Sequence, residues 1–202
     1  MIFIWSNAMH RFSSMLAALT MILSLPAVAA DSPTPPRVEI AYLSGGCFWG
    51  MENILRRIPG VLDTEVGYTG GVTKRANYEL VSSGLTGHAE SVKITFDPAL
   101  LSYRHLLFEF FRMHDPTTAD RQGNDTGSQY RSAIFYVDRA QKETAEEVIR
   151  TADSTHQLSG RIVTEIVPFK EFHRAEEYHQ DYLQKNPAGY TCHYVRRFPL
   201  GE

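Results

Sequence analysis

The chain has 202 residues, 43% of them apolar and 21% charged, with a formal net charge of −3. That length and apolar share suffice for one domain with a substantial core, and the composition is not that of a disordered chain. A weakly acidic balance without any long basic run argues against a nucleic-acid partner or an anionic membrane surface.

The first thirty residues stand apart from the rest. Arg11 is their one charged residue, and the stretch from Met15 to Ala30 is apolar and ends in small side chains. It is short for a membrane span, and Ala27-Val28-Ala29 fits a signal-peptidase site, with Ala30 as a neighbouring option. Residues 1–30 therefore read as a signal peptide, with an uncleaved N-terminal anchor as the alternative. A start at Met9 would place Arg11 close to the amino terminus, as such signals prefer. Residues 31–37, rich in proline, read as an extended linker, and 38–202 as a single domain. The expected product is exported and periplasmic, without stable membrane insertion after cleavage. Removing residues 1–30 removes Arg11 and no acid, so its charge is −3 − 1 = −4.

Val38 to Leu43 is a short strand pattern ended by Ser44-Gly45-Gly46. A helix follows at once, because Phe48, Met51, Leu55 and Ile58 recur at spacings of three and four until Pro59-Gly60 stops it. Val61 to Tyr68 reads as a strand, and Tyr78 to Ser82 as a short helix. Residues 90–96 alternate, placing Val92, Ile94 and Phe96 on one face of a strand. Ser102 is the expected N-cap of a helix running to His114. A polar loop spans 115–130, followed by a strand at 132–137, a surface helix at 140–152, a strand at 162–167 and a helix at 171–184. From Asn186 the chain has no periodicity. Strands alternating with helices indicate a two-layer domain, α/β or α+β.

There are two cysteines, Cys47 and Cys192, 145 positions apart. In an oxidising compartment the plainest reading of such a pair is a structural disulfide. Cys47, however, stands where a strand turns into a helix. The free N–H groups and partial positive charge of a helix start favour a thiolate, and thiolates are nucleophiles. Phe48 and Trp49 follow it. Phe48 lies on the apolar helix stripe, whereas Trp49 falls off it; two rings beside a sulfur can hold a small apolar group such as an S-methyl.

The heptad Ser44-Gly-Gly-Cys-Phe-Trp-Gly50 resembles the signature of the peptide methionine sulfoxide reductase A family. The resemblance continues in order through Gly67-Tyr-Thr-Gly-Gly71, Ser83-Gly-Leu-Thr-Gly-His-Ala-Glu90, His114-Asp-Pro116, residues 121–132, Tyr178-His-Gln-Asp-Tyr-Leu183 and Asn186-Pro-Ala-Gly-Tyr190. Several long motifs in order are far more specific than any one short pattern. The fold it implies is α+β: a two-layer α/β sandwich, a ferredoxin-like mixed sheet with helices packed on it, and a loosely structured C-terminal tail. It implies Cys47 as the nucleophile, Glu90 as the acid, Tyr78 and Tyr130 as a pair binding the sulfoxide oxygen, Asp125 as a supporting carboxylate, and Phe48 and Trp49 as the methyl pocket. Cys192 becomes the resolving thiol. It also implies the S epimer of methionine sulfoxide, protein-bound or free, as substrate, and a thioredoxin-like dithiol as reductant. No cofactor and no metal is called for, and a monomer is expected. Three departures stand out. Arg75-Ala-Asn77 replaces the usual Asn-Pro-Thr, Ser82 stands where some members carry a further cysteine, and Thr191 sets Cys192 one place later than in many relatives.

These residue types suit that chemistry. Sulfoxide sulfur is electrophilic, but its oxygen leaves only when protonated, so a sulfur nucleophile needs an acid that stays neutral near pH 7. Burial would raise Glu90 into that role, and tyrosine hydroxyls can donate to the oxygen as charge builds there. Cys47 would end as a sulfenic acid that Cys192 condenses to a disulfide. A resolving cysteine must not obstruct the pocket, so the resting tail is expected to hold Cys192 away from Cys47. The competing readings are weaker. Histidines are numerous, but no C-x-x-C or H-E-x-x-H spacing marks a metal or dithiol site, and neither phosphate-loop pattern occurs. An exported domain with a permanent Cys47–Cys192 disulfide and no turnover remains the non-enzymatic alternative.

Overall fold

In the computed structural model, residues 1–3 and 37–201 are described. The signal-peptide and linker readings fall, apart from Met1–Phe3 and Arg37, outside those residues. The chain divides into units Met1–Thr34 and Pro35–Glu202, and every described helix and strand belongs to the second.

The elements in chain order are β1 (Glu39–Gly45), α1 (Phe48–Leu55), β2 (Val61–Thr69), α2 (Tyr78–Ser82), β3 (Ala89–Phe96) and α3 (Tyr103–Met113). Two-residue strands β4 (Arg121–Gln122) and β5 (Asp125–Thr126) and a 3-10 turn (Ser128–Tyr130) then lead to β6 (Ser132–Tyr136). The chain ends with α4 (Arg139–Ser154), β7 (Glu165–Pro168), β8 (Phe172–Arg174) and α5 (Tyr182–Lys185). Ser102 caps α3 as expected, its Oγ accepting from the His105 amide at 3.1 Å, and Asp138 caps α4 through the Gln141 amide at 2.8 Å.

Six strands form one sheet in the order β7-β6-β1-β3-β2-β8. The central four, β6-β1-β3-β2, pair antiparallel and derive from a β-α-β-β-α-β run, the split arrangement of ferredoxin-like folds. The parallel pairing of β6 with β7 makes the sheet mixed. Leu43, Val92, Ile94 and Phe96 share one core with Met51 and Leu55 of α1, Phe110 and Phe111 of α3, and Val148 of α4. The opposite face is thinner. Tyr42, Ala133 and Phe135 are covered by the segment after β7, where Phe169 stacks on Tyr42 at 3.9 Å.

The expected helix at 171–184 is not there. Phe172–Arg174 instead pairs as an edge strand with Gly67–Thr69 of β2. Turns follow, and Asp181, in the left-handed region (φ 56°), precedes the short α5. The helical reading counts polar residues as a solvent face. Here the Gln180 side chain is buried and bonds the backbone of Val66 and Ala175 instead, a competition that favours irregular structure. After Lys185 the described chain has no regular element. It is nonetheless pinned: Arg196 N donates to Arg112 O at 3.0 Å, and Leu200 is fully buried.

Candidate active site

Gly46 turns the chain from β1 into α1 with φ +104°, where a Cβ would lie 2.4 Å from the Gln122 side chain. Cys47 is the N-cap residue of α1, but its side chain caps nothing. The first free amide of the helix serves Glu90 instead, Phe48 N–H donating to its Oε2 at 3.0 Å. Glu90 reaches this helix end because it opens β3 on the same face as Val92 and Ile94. Cys47 and Glu90 are 7% and 3% exposed.

Seven of the eight residues singled out in the sequence line one cavity of about 190 Å3: Cys47, Phe48 and Trp49 from α1, Tyr78 from α2, Glu90 from β3, Asp125 from β5 and Tyr130 from the 3-10 turn. A larger surface cleft of about 600 Å3, between Arg150 and Arg161, contains no cysteine and no buried acid. The eighth residue, Cys192, borders the site. Its Sγ donates to Asp125 Oδ2 at 3.1 Å. The tail thus holds Cys192 on Asp125, a residue of the cavity itself. Both cysteines are free thiols, so no permanent disulfide joins them here.

Burial pushes the Glu90 carboxyl up to about 8. The Asp125 charge adds to the rise, and the Phe48 amide opposes it, so Glu90 is mostly a neutral acid at pH 7. Burial also pushes the Cys47 thiol up, with the Glu90 charge next; the Trp49 amide pulls the other way and loses. The helix-start argument for a resting thiolate is therefore right about the amide and wrong about the balance. The Tyr130 hydroxyl is raised by burial and then by Glu90 and Asp125, so it remains a donor. Cys192 is raised to about 12 by burial and by its bond to Asp125.

The model of the family described as "Peptide methionine sulfoxide reductase" matches residues 39–199. The chain belongs to that family. It is 53% identical over 159 residues to peptide methionine sulfoxide reductase MsrA of Pseudomonas fluorescens, covering 79% of this chain and 74% of that protein. Among solved structures it is similar to Mxr1 of Saccharomyces cerevisiae in reduced form (TM-score 0.75, 37% identity, 81% of this chain and 95% of that one). It is also similar to Mxr1 in complex with Trx2 (TM-score 0.55, 25% identity, 81% and 94%). The chain is a methionine sulfoxide reductase of the MsrA type.

The reductase supports its cavity with residues to which the motifs assign no role. Tyr190 lines the cavity, and its hydroxyl donates to Asp125 Oδ1 at 3.0 Å. His179 accepts from Trp49 Nε1 at 3.0 Å, while Tyr182 stacks on the Trp49 ring at 3.7 Å. Glu176 accepts from the Tyr78 amide and from the Tyr68 hydroxyl, both at 2.9 Å. The signal for three of these residues is present in the sequence, since His179 and Tyr182 lie in the 178–183 motif and Tyr190 ends the 186–190 motif; Glu176 lies outside the motifs. Reading 171–184 as one helix hides it. Among the described residues no group of three or more His, Cys, Asp or Glu side chains is placed to hold a metal ion.

Proposed function

We propose that this reductase converts the S epimer of methionine sulfoxide, free or in proteins, to methionine, with Cys47 as nucleophile and Glu90 as acid. The observation that carries this is the pairing of the Cys47 sulfur and a neutral Glu90 at one helix start, both opening into the same cavity. The substrate methyl group lies against Phe48 and Trp49, and its oxygen faces Tyr78, Tyr130 and Glu90. Cys47 attacks the sulfoxide sulfur while Glu90 protonates the oxygen. The thiol proton replaces the one that Glu90 gave. Methionine leaves, its sulfur reduced by two electrons, and Cys47 becomes a sulfenic acid, oxidised by two. Asp125 supports this set from its place beside Glu90.

Cys192 then attacks the sulfenic sulfur, forming the Cys47–Cys192 disulfide and releasing water. A thioredoxin-like dithiol reduces that disulfide for the next turnover; the solved complex of Mxr1 with Trx2 supports a donor of this class. With residues 1–30 read as a signal peptide, the enzyme works as a monomer outside the cytoplasm, in the periplasm, on oxidised exported proteins. Its dithiol donor must then draw electrons across the membrane.

Mass spectrometry after one equivalent of sulfoxide tests the scheme, with each epimer supplied separately. The S epimer should leave wild type lighter by two hydrogen atoms and leave Cys192→Ser heavier by one oxygen. Wild type that stops at the oxygen adduct removes Cys192 from its role, and no reaction with either epimer removes Cys47. N-terminal sequencing of protein from the native host should begin at Ala30 or Asp31; an intact 1–20 refutes cleavage.

A further inference from the structure

The scheme leaves one proton without a carrier. Cys192 must lose its hydrogen to attack, yet its thiol is raised to about 12, so at pH 7 only about one sulfur in 10⁵ is ionised. The residue after it supplies an acceptor. We propose that His193 is the general base of the second step, its Nδ1 taking the thiol proton of Cys192 as that sulfur attacks the Cys47 sulfenic acid. The assignment rests on Cys192 being the resolving thiol.

The tautomer follows from geometry. His193 is 7% exposed, and its Nε2 lies 2.8 Å from the Gly45 carbonyl oxygen. A carbonyl only accepts, so Nε2 carries the hydrogen, and in the neutral ring Nδ1 is then a lone pair. That lone pair lies 3.5 Å from Cys192 Sγ. The ring is neutral at pH 7, because burial holds it below the usual histidine range. Arg196 on its own segment pushes the same way and Asp125 of β5 opposes; His114, at the end of α3, is itself pushed down to about 3 and uncharged.

Two further features hold the ring there. The His193 amide donates to Thr191 Oγ1 at 3.1 Å, closing a small turn around Cys192. Gly50 presents bare backbone to that turn, since a Cβ would fall 2.4 Å from Thr191 Oγ1 and 2.5 Å from His193 Nδ1. The inserted Thr191, which sets Cys192 one place later, is thus part of the device.

Asp125 is the other acceptor near this sulfur, at 3.1 Å. Its charge disfavours a thiolate beside it, whereas the neutral imidazole carries no such charge. The carboxylate holds the resting thiol in place, and the imidazole takes the proton. The step balances. The Cys192–H and Cys47–OH bonds break and the S–S bond forms. The hydroxyl leaves as water with a proton from Glu90, which the imidazolium restores through solvent. The oxidising equivalent came from the sulfoxide, so no other oxidant enters.

The test separates the two steps in one sample. The full chain is mixed with one equivalent of methionine S-sulfoxide, and methionine and disulfide are followed by quenched flow from pH 6.5 to 9. In His193→Gln the amide nitrogen can still donate to Gly45, but no basic atom remains. With general-base catalysis worth about 10²-fold or more, disulfide formation in that variant should lag wild type by that factor at pH 7. Up to about pH 8, where Glu90 keeps its proton, it should also rise about tenfold per pH unit, because only ionised Cys192 reacts, whereas the wild-type rate should be nearly flat between pH 7 and 8. Methionine formation in the same sample shows that the variant is folded. An equal disulfide rate, or one lower by the same factor at every pH, overturns the assignment in favour of no role or of positioning alone. A unit slope in Asp125→Asn but not in His193→Gln makes Asp125 the base. A unit slope in wild type overturns the proposal without any variant. Wild type that halts at the oxygen adduct overturns the resolving role of Cys192 and this assignment with it.

Discussion

Cys47 and Glu90 stand where one strand becomes a helix and where its neighbour begins, and both are buried against the main core. Asp125, Tyr190 and Cys192 come from a two-residue strand and an aperiodic tail, and they are half-buried or exposed. The first group is placed by sheet pairing and helix amides. The second is placed by side-chain bonds to one another and by the anchor of His193 on Gly45. The division matches the chemistry assigned to each. Oxygen transfer needs a dry, fixed site in which an acid stays neutral. Disulfide formation needs a sulfur that can travel, since bonded cysteines require their Cα atoms within about 7 Å.

The sharpest break of this comparison is at the sheet-borne end. Cys47→Ser should reduce methionine formation by about 10⁴-fold or more, because an alcohol is a far poorer nucleophile than a thiol. The tail should stay docked, since neither its Gly45 anchor nor its Asp125 bond involves the Cys47 side chain. Single-turnover chromatography reads the first claim and unchanged amide-exchange protection at 191–196 the second. Residual activity within tenfold of wild type would end the present assignment.

Glu90→Gln comes next. The amide oxygen can still accept from Phe48 N–H, so the cavity keeps its shape while the proton is lost. A fall of about 10²- to 10⁴-fold in the single-turnover rate is expected, with substrate affinity little changed. The pH profile carries the same information with a definite sign. The pKa is raised to about 8, so the acid form is present below that value and is lost as pH rises through it. The wild-type first step should fall about tenfold per unit above pH 8, and Glu90→Gln should show no such break. A wild-type profile flat to pH 10 would remove Glu90 from the acid role.

The same division governs what can be read from the sequence. Periodicity locates β1, α1, β2, β3 and α3 closely, because each buries one regular face and starts or stops at a recognisable signal. Glu90 shows how far this extends into the site. It falls on the alternation of Val92, Ile94 and Phe96, but a strand carboxylate reads by itself as a solvent-facing residue, and its burial is visible only in the structure. The motifs of the reductase A family then give it a role that period cannot give. Tyr78 and Tyr130 also need the motifs, since half-buried tyrosines are ordinary. What stays hidden lies in 171–193, where Gln180, Glu176 and His179 spend their side chains on the backbone and on neighbours rather than on a helical face. No periodicity reports such bonds. The direction of the Cys47 shift escapes the sequence for a related reason: a helix start is visible there, but the depth of burial that outweighs it is not.

Gly50→Ala tests the tail end with a smaller effect. Alanine should favour α1 by up to about 1 kcal/mol, but its Cβ would meet Thr191 Oγ1 and the anchored His193 ring. The threonine hydroxyl can rotate away, whereas the ring, held at Nε2, must shift. Methionine formation should change by less than about threefold and disulfide formation should slow about tenfold, as displacements below 1 Å do in positioned sites. Equal slowing of both steps would mean that the two halves of the site are not separately held.

The smallest effect is expected at Asn77, where the comparison meets its intermediate case. Tyr78 opens the five-residue α2, too short to persist without its cap and its tertiary contacts. Asn77 Oδ1 accepts from the Leu80 amide at 2.9 Å, and Glu176 accepts from the Tyr78 amide. This asparagine stands where the family usually has threonine, another good N-cap, so the departure at 75–77 preserves the physical function. Asn77→Ala should cost about 1 kcal/mol at this helix, lowering the fraction of molecules with the Tyr78 hydroxyl in place. At about tenfold per 1.4 kcal/mol the first step should slow roughly fivefold, with the second untouched, and Asn77→Thr should restore most of the loss. A variant whose first step matches wild type would show that the Glu176 bond alone seats Tyr78. Loss that threonine does not recover would mean that the asparagine side chain, rather than its cap, meets the substrate.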